Sequence, residues 1–83
     1  MVGGWTKYHP LTPPDTEIFK IALAGFVGVT YDPNMVSTQV VAGTNYRFNC
    51  NATQPPADVI WDAIVEIYQP LTGKPYITGI LRI

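Results

Sequence analysis

Tyr46-Arg47-Phe48-Asn49-Cys50-Asn51-Ala52 alternates apolar and polar side chains without a break. A period of two places Tyr46, Phe48, Cys50 and Ala52 on one face of a strand, and Asn45, Arg47, Asn49 and Asn51 on the other. The segment therefore belongs to a sheet with one packed face and one wet face, and the packed face needs a cover. The cover lies upstream. Thr12-Pro13-Pro14-Asp15 reads as a helix start: Thr12 is placed to cap, Pro13 gives up an amide that has no helical partner, and the Asp15 carboxylate follows three residues on. From Pro13 to about Phe26 a helical period gathers Ile18, Phe19, Ala22 and Phe26 on one face, with Ile21 and Leu23 at its margins and Thr16, Glu17, Lys20 and Ala24 opposite. Gly25 and Gly28 weaken the end of this helix, and the chain leaves it near Val29.

Downstream of the helix, Asp32-Pro33-Asn34 predicts a turn, and the β-branched run from Val36 to Val41 predicts a strand. Gly43-Thr44-Asn45 breaks that run into a hairpin with the alternating segment. Gln54-Pro55-Pro56 makes the next connection. A long strand from Val59 to Tyr68 then aligns Val59, Trp61, Ala63, Val65 and Ile67. Pro70-Leu71-Thr72-Gly73-Lys74-Pro75 predicts a second hairpin into a last strand, Tyr76 to Ile83, with prolines limiting pairing through the loop. Met1 to Thr12 holds two glycines, Trp5, Tyr8 and Pro10, and reads as a flexible start leading into a short extended segment, available as a fifth strand at or near an edge. The layout is α+β: one helix packed across a four- to five-stranded antiparallel sheet, in a single domain spanning residues 1–83.

Composition narrows the function classes. With 47% apolar and 13% charged residues the chain carries too much core material to be disordered. Its formal charge of −1, with five basic residues scattered from Lys7 to Arg82, offers no phosphate-binding patch, so nucleic acid is set aside. No stretch approaches the roughly 18 apolar residues of a membrane span. One cysteine permits no internal disulfide, which fits a reducing compartment; with no basic-then-apolar leader in view, a cytoplasmic location is the expectation. Asn51-Ala52-Thr53 matches a glycosylation sequon.

The residues that chemistry would need are not grouped. His9 stands alone near the start, with no second histidine or neighbouring cysteine to share a metal, and reads as a surface histidine. Cys50 falls on the apolar face beside Phe48 and Ala52, where it behaves as a small hydrophobe. Asp62 and Glu66 lie on the same side of one strand but too far apart to share a proton. The glycines are dispersed at turns and element ends. No catalytic residue, metal or cofactor is expected, and the chain reads as a non-enzyme. What stands out is the tip Gln39-Val40-Val41-Ala42-Gly43, apolar where an ordinary hairpin turn carries polar residues.

That pentapeptide resembles the first-hairpin motif of the cystatins, Q-x-V-x-G, with the glutamine, valine and glycine all present in order. The surrounding order is similar throughout the chain: a glycine pair at the start, a helix, the motif at a hairpin tip, and a second hairpin before the terminal strand. The lack of disulfides makes the chain most similar to the stefin branch. The resemblance implies a cystatin-like fold and a reversible, tight-binding inhibitor of papain-like, cathepsin-type cysteine proteases. It also implies a binding edge of three parts. Met1, Val2, Gly3 and Gly4 form the first, with Gly3 matching the key glycine and Met1 and Val2 entering the unprimed subsites; Gln39, Val40, Val41, Ala42 and Gly43 form the second; Pro70, Leu71, Thr72 and Gly73 form the third. The third part departs from the family, which shows Leu-Pro-Gly in stefins and Pro-Trp in secreted cystatins. The alternative is a non-inhibitory binding or scaffold module on the same fold, using the open sheet face with Arg47 and Asn49. A monomer is expected, with strand exchange at the first hairpin as the other state.

Overall fold

The computed structural model describes residues 3–57 and 59–83. Its elements run in the order β1 (His9–Pro10), α1 (Pro13–Ala22), β2 (Thr30–Val41), β3 (Gly43–Thr53), β4 (Ile60–Gln69) and β5 (Tyr76–Arg82). The strands form one antiparallel sheet in chain order, β1-β2-β3-β4-β5. The architecture is thus α+β, with five strands and one helix.

The alternation of β3 sets the register. Phe48 pairs with Val36 on β2 and with Val65 on β4, and Val65 pairs in turn with Ile80 on β5, so one cross-strand row carries the centre of the packed face. Phe48, Cys50, Ala52, Val36, Ala63, Val65 and Ile67 are fully buried. The helix closes over them through Phe19, whose ring meets Phe48 edge to face with centroids 4.9 Å apart. Leu11, Ile18, Ala22, Leu23, Tyr31, Tyr46 and Ile77 pack around this cluster. At the helix start the Asp15 carboxylate accepts from the Thr12 amide at 3.0 Å and from the Thr12 hydroxyl at 2.9 Å, tying down the first turn.

Three expectations are corrected. The helix ends at Ala22 rather than Phe26, because the chain turns through residues 23–25 onto Gly25, whose φ of +81° lies in the left-handed region. Phe26 consequently leaves the helix face and packs on Tyr31 at 5.7 Å. Asp32-Pro33-Asn34 is not a turn: β2 runs straight through it, with a register shift between Pro33 and Met35 that leaves Asn34 as the extra residue. Pro33 is tolerated there because, among the described residues, β1 pairs only with Met35 and Val36, so this part of β2 is a sheet edge where the missing amide costs no ladder bond. Gly43 and Thr44 belong to β3, and Ala42 alone lies between the two strands of the first hairpin.

Because Phe48 touches both neighbouring strands and the helix, Phe48→Ala is expected to cost about 3–5 kcal/mol. Urea unfolding followed by circular dichroism reads that loss as a lowered midpoint with little change in slope.

Candidate functional site

The first hairpin, the β4–β5 loop and the start of the chain all come to one end of the sheet, since β2 and β4 finish there while β3 and β5 begin there. The start of the chain is held alongside β2. The Gly3 amide donates to the Val40 carbonyl at 3.2 Å, the Thr6 amide donates to the Thr38 carbonyl at 2.9 Å, and His9 and Pro10 pair with Val36 and Met35. Side chains reinforce this strap. The Gln39 Nε2 donates to the Gly3 carbonyl at 3.1 Å, the Thr38 amide donates to the Thr6 hydroxyl at 3.0 Å, and the Ser37 hydroxyl donates to the Thr6 carbonyl at 2.5 Å. Met1 and Val2, assigned to the first part of the edge by the sequence reading, lie outside the described residues.

The first hairpin is cross-braced. Asn45 donates to the Gln39 side-chain oxygen at 3.1 Å, so Gln39 links the strap on one side to β3 on the other. Gly43 has a φ of +101°, and an added Cβ there would overlap the Gln69 carbonyl oxygen and meet the Tyr68 hydroxyl at 2.8 Å. Only a glycine lets the turn approach β4 this closely. The Tyr68 hydroxyl then donates to the Ala42 carbonyl at the tip. Val40 is left 66% exposed, while Val41 is half-buried and shares the open face with Gln39.

The third part is ordered by Gln69, whose Nε2 donates to the carbonyls of Pro70 and Gly73 at 2.9 Å each. Gly73 turns with a φ of +105°, Pro75 is buried, and Leu71 stands 79% exposed at the end of the loop. Gly3, Gly4, Gln39 to Gly43 and Pro70 to Gly73 thus lie along one end of the sheet, in the order in which their strands lie in it.

One group was missed at the sequence level. The Trp5 ring lies under the Arg47 guanidinium at 4.0 Å, and the Arg47 Nε contacts a Glu66 carboxylate oxygen at 3.2 Å. This stack pins the strap to the open face two residues beyond Gly3. Its signal was present in the alternation, which put Arg47 on the wet face, but nothing in the spacing tied it to a tryptophan some forty residues away.

The candidates for chemistry remain apart. The His9 ring lies 2.9 Å from the Pro10 carbonyl oxygen, on the strap. The Cys50 thiol is buried and donates to the Phe48 carbonyl at 3.4 Å. Among the described residues no cluster of histidine, cysteine and carboxylate side chains could hold a metal ion, and no helix is long and apolar enough to cross a membrane. Asn51 of the sequon sits within β3, where its side chain donates to Asp62 at 3.1 Å and accepts from Asn34 at 2.8 Å.

Burial pushes the Cys50 thiol from its ordinary value of 9.0 up to about 12, with the nearby Asp32 charge adding to the rise. Tyr46 is raised as well, by burial first and by the Asp15 carboxylate second. Folding therefore favours the neutral thiol. Its contribution to stability is fully present below pH 9 and is lost as pH climbs from 9 toward 12. Cys50→Ala is expected to flatten the fall in unfolding free energy over that window, and the wild-type thiol is expected to resist alkylation at about pH 8 until the protein is unfolded. Gly43→Ala, which must strain both the turn and its contact with Gln69, is expected to lower stability by about 1–3 kcal/mol. A chemical denaturation series checks this.

No protein-family model matches the chain, and no curated protein matches it.

Proposed function

We propose that this chain is a reversible protein inhibitor of papain-like cysteine proteases, built on a cystatin-like fold and acting through the sheet end just described. The observation that carries this reading is the alignment of Gly3, the Val40 tip and the Leu71 loop along one end of the sheet, with both apolar side chains held out into solvent. Residues 39–43 carry no charge, and Lys74 is the only charged residue in the loop from Pro70 to Pro75, so entry into a cleft desolvates little that is costly. The parts are already braced, through Gln39, Tyr68 and Gln69, so little chain entropy is lost on docking.

The same geometry explains how such an edge would block a protease without being cut. A substrate offers an extended peptide with a free carbonyl to the nucleophile. Here the tip reverses direction within a single residue, and the Ala42 carbonyl already accepts the Tyr68 hydroxyl. The bond between Ala42 and Gly43 is therefore neither extended nor free. Val40 and Leu71 serve as the apolar anchors that exclude water, and Gly3 allows close approach of the strap.

The open face is a poorer candidate for the alternative binding module. Trp5 and Glu66 already engage Arg47, and Asn51 is occupied by Asn34 and Asp62.

Titration of papain with the purified protein, with trypsin as control, tests the proposal. Stoichiometric and reversible loss of papain activity alone is expected, and undiminished papain activity at large excess overturns it. Val40→Ala and Leu71→Ala are each expected to weaken inhibition about tenfold while leaving the unfolding midpoint within error of the wild type.

A further inference from the structure

Of residues 3–8 in the strap, only Trp5 is not exposed. Around it the strap is held by hydrogen bonds at Gly3 and Thr6, and a segment that opens on two glycines keeps much of its backbone freedom. Whatever seats Trp5 therefore decides where Gly3 stands.

One row of the open face does the seating. Ser37, Arg47, Glu66 and Gly79 pair in turn across β2, β3, β4 and β5. The Ser37 hydroxyl donates to the Thr6 carbonyl at 2.5 Å, the Arg47 guanidinium lies over the Trp5 ring at 4.0 Å, and the Arg47 Nε donates to Glu66 Oε2 at 3.2 Å. The row ends on a glycine for a reason of space. Gly79 lies outside the left-handed region, so its backbone does not call for glycine. A Cβ at this position would stand 2.9 Å from Glu66 Oε1 and 3.9 Å from its Cδ. The carboxylate thus rests over Gly79 with one oxygen and holds Arg47 with the other.

We propose that this row is a relay that positions the first part of the protease-binding edge. Gly79 makes room for Glu66, Glu66 orients the Arg47 guanidinium, and Arg47 seats the Trp5 ring two residues from Gly3. Arg47, Glu66 and Gly79 are positioning residues, acting on the edge through the strap. The effect on inhibition rests on the reading of the hairpin end as a protease-binding edge, whereas the seating of the strap does not.

Two substitutions break the relay without touching the core. Gly79→Ala must swing the flexible Glu66 carboxylate aside, and with it the oxygen that holds Arg47. Arg47→Lys keeps the charge but loses the Nε contact and the flat face that stacks on the ring.

Residue-resolved amide hydrogen exchange of the intact protein tests the seating without a protease. In the wild type the Gly3 and Thr6 amides are expected to be protected by their bonds to Val40 and Thr38. Arg47→Lys and Gly79→Ala are each expected to speed exchange at both amides about tenfold, while the Phe48 and Val65 amides stay protected. Trp5→Phe, which keeps an aromatic face for Arg47, is expected to retain the protection that Trp5→Ala loses. In the Trp5→Ala background, Gly79→Ala is expected to add nothing, because the row then has no ring to seat; effects that simply add overturn the relay. Unchanged exchange at Gly3 and Thr6 in either folded variant overturns it too. Circular dichroism identifies the folded variants, and Arg47→Lys, at a half-buried position on the open face, stands in if Gly79→Ala unfolds.

With papain, the same two variants are expected to raise the inhibition constant about tenfold, because a loosened strap must be ordered on docking. Faster strap exchange with an unchanged inhibition constant overturns the positioning role. A wild type that leaves papain fully active defeats the inhibitor reading, and with it the effect on inhibition, while exchange still decides the seating of the strap.

Discussion

Phe48 sits where three constraints meet. It is paired on both sides, by Val36 and Val65, and capped from above by the Phe19 ring. Sliding β3 by one residue would bring Arg47, Asn49 and Asn51 under the helix and push Phe48 and Cys50 into water, a change no other contact in so small a core could offset. That single register fixes the sheet, and with it the turn residues at the sheet's end. Gly43 lies against Gln69, and Val40 lies opposite Thr44 at the hairpin end, because Phe48 is opposite Val65.

The packed face and the open face divide the labour. The packed face is apolar and supplies cohesion without direction. The open face is organised by directional contacts, and most of them lead toward the hairpin end: Trp5 on Arg47 on Glu66, Gln39 between Gly3 and Asn45, Tyr68 onto Ala42. Each such pair contributes modestly on its own, since these side chains are partly solvated. Together they hold the strap and the first hairpin in one arrangement, so that docking requires little reordering.

The architecture was legible where a residue's role follows from a short period. The alternation in β3 and in β4, the Thr12 to Asp15 helix start and a sheet of four to five antiparallel strands could all be read directly. The reading went astray where a tertiary neighbour changed the meaning of a local signal. Pro33 looks like a turn residue in isolation, but it is compatible with a strand whose outer side, among the described residues, has no partner at that level. Phe26 falls on the helical period, yet the glycine before it turns the chain away first. At the hairpin end the motif residues were visible in the sequence, whereas the braces that hold them came from positions far along the chain. Trp5 met Arg47 and Tyr68 met Ala42 only after the strands had paired.

Strand order follows chain order across the whole sheet, and only the β1 to β2 connection contains a helix. Between β2 and β5 every pairing closes a short loop, so little loop-closure entropy opposes each step. The contacts formed in this part of the molecule are local in sequence, which is the condition for rapid assembly. The meander can grow outward from the β2–β3 hairpin one strand at a time, and the edge segment at the start of the chain, whose partner is already in place by then, docks onto a finished surface.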